Sequence, residues 1–130
     1  MEISSAMIRH YLDYVSSYVG DNDGVVPENI NEYYKDTIQM KLAATHHNDL
    51  DILRLAIDYL ITSPKVDAAS FADIHYLYEP DEIMELLFYI RSVVWPNLPP
   101  PDYEEVKDIV LVEISTSDWW DRRKAEGKHW

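Results

Sequence analysis

The sequence predicts a mainly α-helical protein, a single domain of about five or six helices, on three observations. Apolar residues recur at helical spacing in several segments. Capping residues and first-turn acids stand where those segments begin. Only Ile109–Ile114 has the β-branched composition of a strand, and a strand needs a partner. Continued helix is therefore expected there. The alternative is α+β, with a short strand near Ile109–Ile114 paired near Val25-Val26.

The elements follow in order. Residues 4–19 read as a helix capped by Ser4 or Ser5 and ended by Gly20. Ile8, Leu12, Val15 and Val19 form its core side, flanked by Met7, Tyr11, Tyr14 and Tyr18. Asp21-Asn22-Asp23-Gly24 reads as a turn. Pro27 suits the first turn of a second helix running to about Thr45, whose apolar face holds Ile30, Tyr33, Tyr34, Ile38 and Met40. Asn48 or Asp49 can cap a third helix, to about Ile61. Its polar stripe, Asp51, Arg54, Asp58 and Thr62, is narrow, so this helix is expected at the centre of the fold. A weaker helix is expected over Asp67–Tyr78, and a strong one from Pro80 to about Trp95. Pro96–Pro101 is proline-rich and reads as an extended internal linker. A further helix starts at Tyr103, capped by Asp102.

Composition narrows the function. The chain has 130 residues, 11 Lys and Arg against 24 Asp and Glu, a formal net charge of −13, and no cysteine. Disulfides, thiolate metal sites and a cysteine nucleophile are excluded. The charge opposes nucleic acid and anionic membranes as direct partners. No apolar run reaches the ~18 residues of a spanning helix, and no signal-peptide pattern opens the chain, so a soluble cytoplasmic protein is expected.

The motifs that resemble catalytic or metal sites do not hold. A calcium loop with Gly24 at its sixth position puts Val19, not a carboxylate, at its first. His46 and His47 are adjacent, and neighbouring helix positions point about 100° apart, so they do not chelate one ion. Pro96-x-x-Pro99 is a weak polyproline match and reads as a spacer. With glycine only at Gly20, Gly24 and Gly127, no phosphate-cradling loop exists. No serine sits in a nucleophile-elbow setting. The expectation is a non-enzyme with no cofactor and no metal.

Charge distribution points to protein recognition instead. Between Asp67 and Glu113 there are eleven acidic and two basic residues, most of the net charge in about a third of the chain. Asp81, Glu82 and Glu85 form one group, and Asp102, Glu104, Glu105 and Asp108 another. Tyr is in surplus, 10 against 2 Phe, and Tyr76 and Tyr78 lie beside the first group, a residue type common at interfaces. These nine residues are the expected partner-binding set. Residues 119–130 form a basic, Trp-containing tail, expected to dock on the acidic body with Trp inward and Arg outward. The class that fits is a small acidic inhibitor, of the immunity-protein or antitoxin type. Its partner would be a basic protein such as a nuclease toxin or a nucleic-acid-binding machine. The second use these features allow is a regulatory or assembly subunit, homo-oligomers included.

Overall fold

A computed structural model describes residues 1–21, 27–72 and 78–127. Strand β1 (Glu2–Ser4) leads directly into helix α1 (Ser5–Asp21). A 3₁₀ turn over Ile30–Tyr33 opens α2 (Tyr34–His46), and α3 (Leu50–Thr62) follows. A second 3₁₀ turn (Ala68–Phe71) precedes α4 (Pro80–Val94). The short α5 (Tyr103–Val106), strand β2 (Val110–Val112) and α6 (Thr116–Ala125) complete the order. The mainly helical expectation holds, but the second helix does not start at Pro27: Ile30–Tyr33 is a 3₁₀ turn opened by Asn29, and the α-helix begins only at Tyr34. Side-chain caps open three of the other helices. Ser4 Oγ accepts from the Met7 N–H at 3.1 Å. Asp102 Oδ1 accepts from the Glu104 N–H at 3.0 Å, and Ser115 Oγ from the Asp118 N–H at 3.1 Å.

Continued helix past Ile109 is corrected. Val110–Val112 is a strand, and its partner is the N-terminal Glu2–Ser4, in parallel register Glu2↔Val110, Ile3↔Leu111 and Ser4↔Val112. Val25-Val26 lie outside the described residues. Ser4 Oγ also donates to the Ile114 carbonyl at 2.8 Å, so one hydroxyl caps α1 and ties down the end of β2. The helix expected over Asp67–Tyr78 is, among the described residues, only the 3₁₀ turn at its start.

The core draws on every segment. Ile8, Leu12 and Val15 of α1 are buried as the wheel predicts, and so are Met7 and Tyr11 from the flanking strip. The side chain of Val19 lies outside the described set. Leu53, Ile57 and Leu60 of α3 meet Ile83, Leu86, Leu87 and Ile90 of α4 in one cluster. The chain beyond the prolines packs back on it: Val106, Ile109 and Trp119 are core residues. α5 contacts α3, and α6 contacts α1.

Two buried carboxylates hold these parts together. The first is Asp49, fully buried in the turn between α2 and α3. Asn48 just before it has φ 57°, a left-handed conformation that Asn tolerates and that ends α2. Asp49 makes no side-chain cap to α3. Its oxygens instead accept from Tyr11 Oη at 2.6 Å, Trp120 Nε1 at 2.8 Å and Trp119 Nε1 at 3.3 Å. Arg123 Nε lies 2.9 Å from Oδ1, but off the hydrogen-bond direction, so this contact is electrostatic. Arg123 Nη2 donates to the Asn48 carbonyl at 2.6 Å. Residues 119–127 of the tail thus dock with Trp119 and Trp120 inward as expected, while Trp130 lies outside the described residues. Arg123 corrects the second half of that expectation, since it is buried as well and only Arg122 of the pair stays at the surface, on Glu2 at 3.0 Å.

The second is Asp58, on what reads in the sequence as a solvent stripe. It is 1% exposed, and Arg91 of α4 grips it through Nε at 2.6 Å and Nη2 at 3.3 Å. Arg54 Nη1 adds a contact at 3.2 Å and reaches Glu105 at 2.7 Å. A buried carboxylate whose cation is removed costs about 3–5 kcal/mol, and removing the carboxylate strands the cation equally.

Two predictions follow from this packing. Asp49→Ala strands Arg123, two indole N–H groups and the Tyr11 hydroxyl, so it should cost about 3–5 kcal/mol in urea unfolding; a loss below about 1 kcal/mol would show that the carboxylate is not a structural hub. Burial raises the Tyr11, Tyr33 and Tyr89 hydroxyls above their ordinary value, with Asp49 adding to the effect at Tyr11. The unfolded chain then loses phenolic protons at a pH where the folded chain keeps them. Stability should hold up to about pH 9 and fall steadily above about pH 10, read as a declining urea midpoint.

Candidate functional site

The acidic groups separate once the fold is formed. Glu104 is paired with Lys107 at 2.8 Å and Glu105 with Arg54 at 2.7 Å. Asp102 is exposed, with Oδ1 engaged as the α5 cap. Asp108 is exposed, and its carbonyl receives the N-terminal amine at 3.3 Å. The second group is thus partly neutralised within the fold.

The first group is not. Asp81 and Glu82 occupy the first turn of α4, where carboxylates face the positive end of the helix dipole. Glu82 Oε1 accepts from the Glu79 N–H at 2.9 Å. Glu85, one turn on, is exposed. The 3₁₀ turn before α2 brings further carboxylates to the same place. Its start is fixed by Asn29, whose Oδ1 accepts from the Asn31 N–H at 2.9 Å, and by Glu32, whose Oε2 accepts from the Asn29 N–H at 3.4 Å. Glu28, Glu82 and Glu85 then border one cleft of about 190 Å³, together with Pro27, Ile30 and Tyr33. Glu28 and Glu32 are the residues that sequence reasoning passed over. They lie some fifty positions from α4, and only the packing of α2 against α4 joins them. Among the described residues, no Lys or Arg pairs with Glu28, Glu32, Asp81, Glu82 or Glu85. The ion pairs of Arg9, Arg54, Arg91, Lys107, Arg122 and Arg123 go to Glu2, Asp49, Asp51, Asp58, Glu104, Glu105 and Glu113.

The tyrosines beside this face divide. Tyr78 is in the core rather than on the surface, and its hydroxyl donates to the Ser16 carbonyl at 3.1 Å. With that proton committed, Tyr33 Oη donates to Tyr78 Oη at 3.3 Å. Burial first, then the fields of Glu82 and Glu85, raise the Tyr33 hydroxyl above its usual range. Tyr18 Oη reaches Glu32 at 3.3 Å and so orders a rim carboxylate. Tyr76 lies outside the described residues.

Other features of the sequence have structural places. His47 stacks on Trp120 at 4.1 Å, and His10 meets the same indole edge-on at 5.4 Å. Among the described residues, no three His, Asp or Glu side chains are grouped to hold a metal ion. Beside their core faces, α1 and α4 carry second apolar strips: Tyr11 is buried and Met84 and Trp95 pack on the core, while Tyr14 and Phe88 stay exposed. No helix among the described residues is long and apolar enough to cross a membrane.

Carboxylates crowded without cations repel one another. The double change Glu28→Gln and Glu85→Gln, which leaves the Glu82 cap in place, should therefore raise stability, by about 0.5 kcal/mol at low salt and by less at high salt, where screening already removes the repulsion. Thermal unfolding at two salt concentrations reads this; a salt-independent change, or a loss, would show that the face is not under electrostatic strain.

No protein-family model, no curated protein and no solved structure matches this chain, so its reading rests on the site itself.

Proposed function

We propose that this chain is a non-catalytic acidic binding protein, an inhibitor that occupies the cationic surface of a basic partner. A nuclease of the toxin type or a nucleic-acid-binding machine fits that description. The observation that carries the reading is the unpaired carboxylate face formed by α4 and the turn before α2. Glu28, Glu82 and Glu85 share one cleft, and among the described residues no Lys or Arg forms an ion pair with them. Such a face attracts a basic surface over a Debye length and raises the association rate. Its carboxylates also stand where a partner would otherwise hold phosphates, which gives inhibition by occupation.

The alternative, an assembly subunit held by apolar contacts, draws less support, because most large apolar side chains of α1 and α4 are covered within the fold.

Capture of the partner from the native host on immobilised protein, followed by association kinetics and a nuclease assay, tests the proposal. Reversal of Asp81, Glu82 and Glu85 to Lys should slow association at least about tenfold at low salt, with the difference shrinking as salt is added. A partner whose association rate is unchanged by that reversal, or whose activity is untouched when bound, would refute it.

A further inference from the structure

The carboxylate face continues into exposed aromatic surface. Asp81, Glu85, Phe88 and Ser92 recur at four-, three- and four-residue steps along α4 and are all exposed, so they form a single outward stripe opposite the core face. Phe88 is 48% exposed, and Tyr34 at the start of the adjacent α2 is 55% exposed. Tyr34 lies close enough to Tyr89 for its phenol to help raise the Tyr89 hydroxyl. Ile38, one turn beyond Tyr34, is half-buried. The Tyr89 hydroxyl is buried with no hydrogen-bond partner. An aromatic left in water beside an orphaned hydroxyl costs solubility and stability, with no return inside the monomer.

We infer that Phe88 is the apolar anchor of the partner contact and that the segment it receives is an amphipathic cationic helix. This rests on the acidic-face reading above and names the chemistry of its occupant. Charge selects the occupant. A helix laid along α4 places Lys or Arg side chains against Asp81, Glu82 and Glu85 and an apolar side chain one to two turns on, over Phe88 and Tyr34. A second copy of this chain carries the same net charge of −13 and is repelled as a whole. Phe88 then acts as a desolvated aromatic anchor, and the carboxylates act as its steering rim.

The test uses the whole protein and two labelled peptides of the same Lys/Leu composition, each about five turns long, one amphipathic and one scrambled so that no apolar face forms. Fluorescence anisotropy at near-physiological salt should show the amphipathic peptide binding roughly tenfold more tightly. Phe88→Ala, at an exposed position, should remove about that tenfold preference and leave the scrambled peptide unaffected. Phe88→Leu should keep most of it. Glu85→Gln should weaken both peptides. Equal binding of the two peptides, or no effect of Phe88→Ala, overturns the anchor. If Glu85→Gln still weakens both, the acidic-face reading survives that failure. If neither peptide binds, both readings fail. A concentration-dependent dimer that Phe88→Ala abolishes would also overturn the inference, by assigning the face to a second copy of the chain.

Discussion

The structure depends on one buried carboxylate. Asp49 sits fully buried in the turn between α2 and α3, and four groups from two distant segments converge on it: Tyr11 of α1 and Trp119, Trp120 and Arg123 of α6. Alone, an ionised carboxylate in that place would be prohibitively costly. The three hydrogen bonds and one cation offset the cost together, and in doing so they fix the C-terminal helix onto the first. The location of the basic tail is therefore set by a single acid in a turn. Asp58 does the same for α3 and α4, drawing in Arg91 and Arg54.

This arrangement decides where charge is left over. Arg122 is held by Glu2, and Arg123 by Asp49 with Asp51 at 3.6 Å. Arg54 extends its pairing to Glu105, and Lys107 closes on Glu104. The arginines Arg54, Arg91, Arg122 and Arg123 are thus committed away from the start of α4 by the packing. The exposed pairs contribute little stability individually. Their larger consequence is for the surface: carboxylates that look equivalent along the chain become unequal, with those of α5 balanced and those at the start of α4 left open beside exposed aromatics.

Much of this was legible in the chain, and the exceptions have physical causes. α3 and α4 announce themselves through apolar residues at helical spacing, and α4 also through Pro80 with acids in its first turn. The two strands do not. Each has three residues, and their pairing joins Glu2–Ser4 to Val110–Val112 across nearly the whole chain, so no local pattern reports it. Asp49 and Asp58 resemble a cap and a solvent stripe because their partners are remote in sequence. Arg123 and Arg91 reverse both readings only once the helices pack. At the candidate site, Glu82 and Glu85 were visible as a first-turn cluster, whereas Glu28 and Glu32 were hidden by sequence distance. Tyr78 looked like surface because its neighbours are acidic, yet its hydroxyl has an internal carbonyl to satisfy.

The central claim is that the face at the start of α4 gathers carboxylates that have no ion-pair partner among the described residues. An oligolysine titration followed residue by residue through backbone amide NMR shifts tests it most directly, because the probe has no fold of its own to choose a site. The account predicts that shifts concentrate at Glu28–Tyr33 and in the first two turns of α4, weaken with added salt, and spare α5 and α6. Shifts spread evenly over the surface, or centred on Glu104 and Glu105, would contradict it.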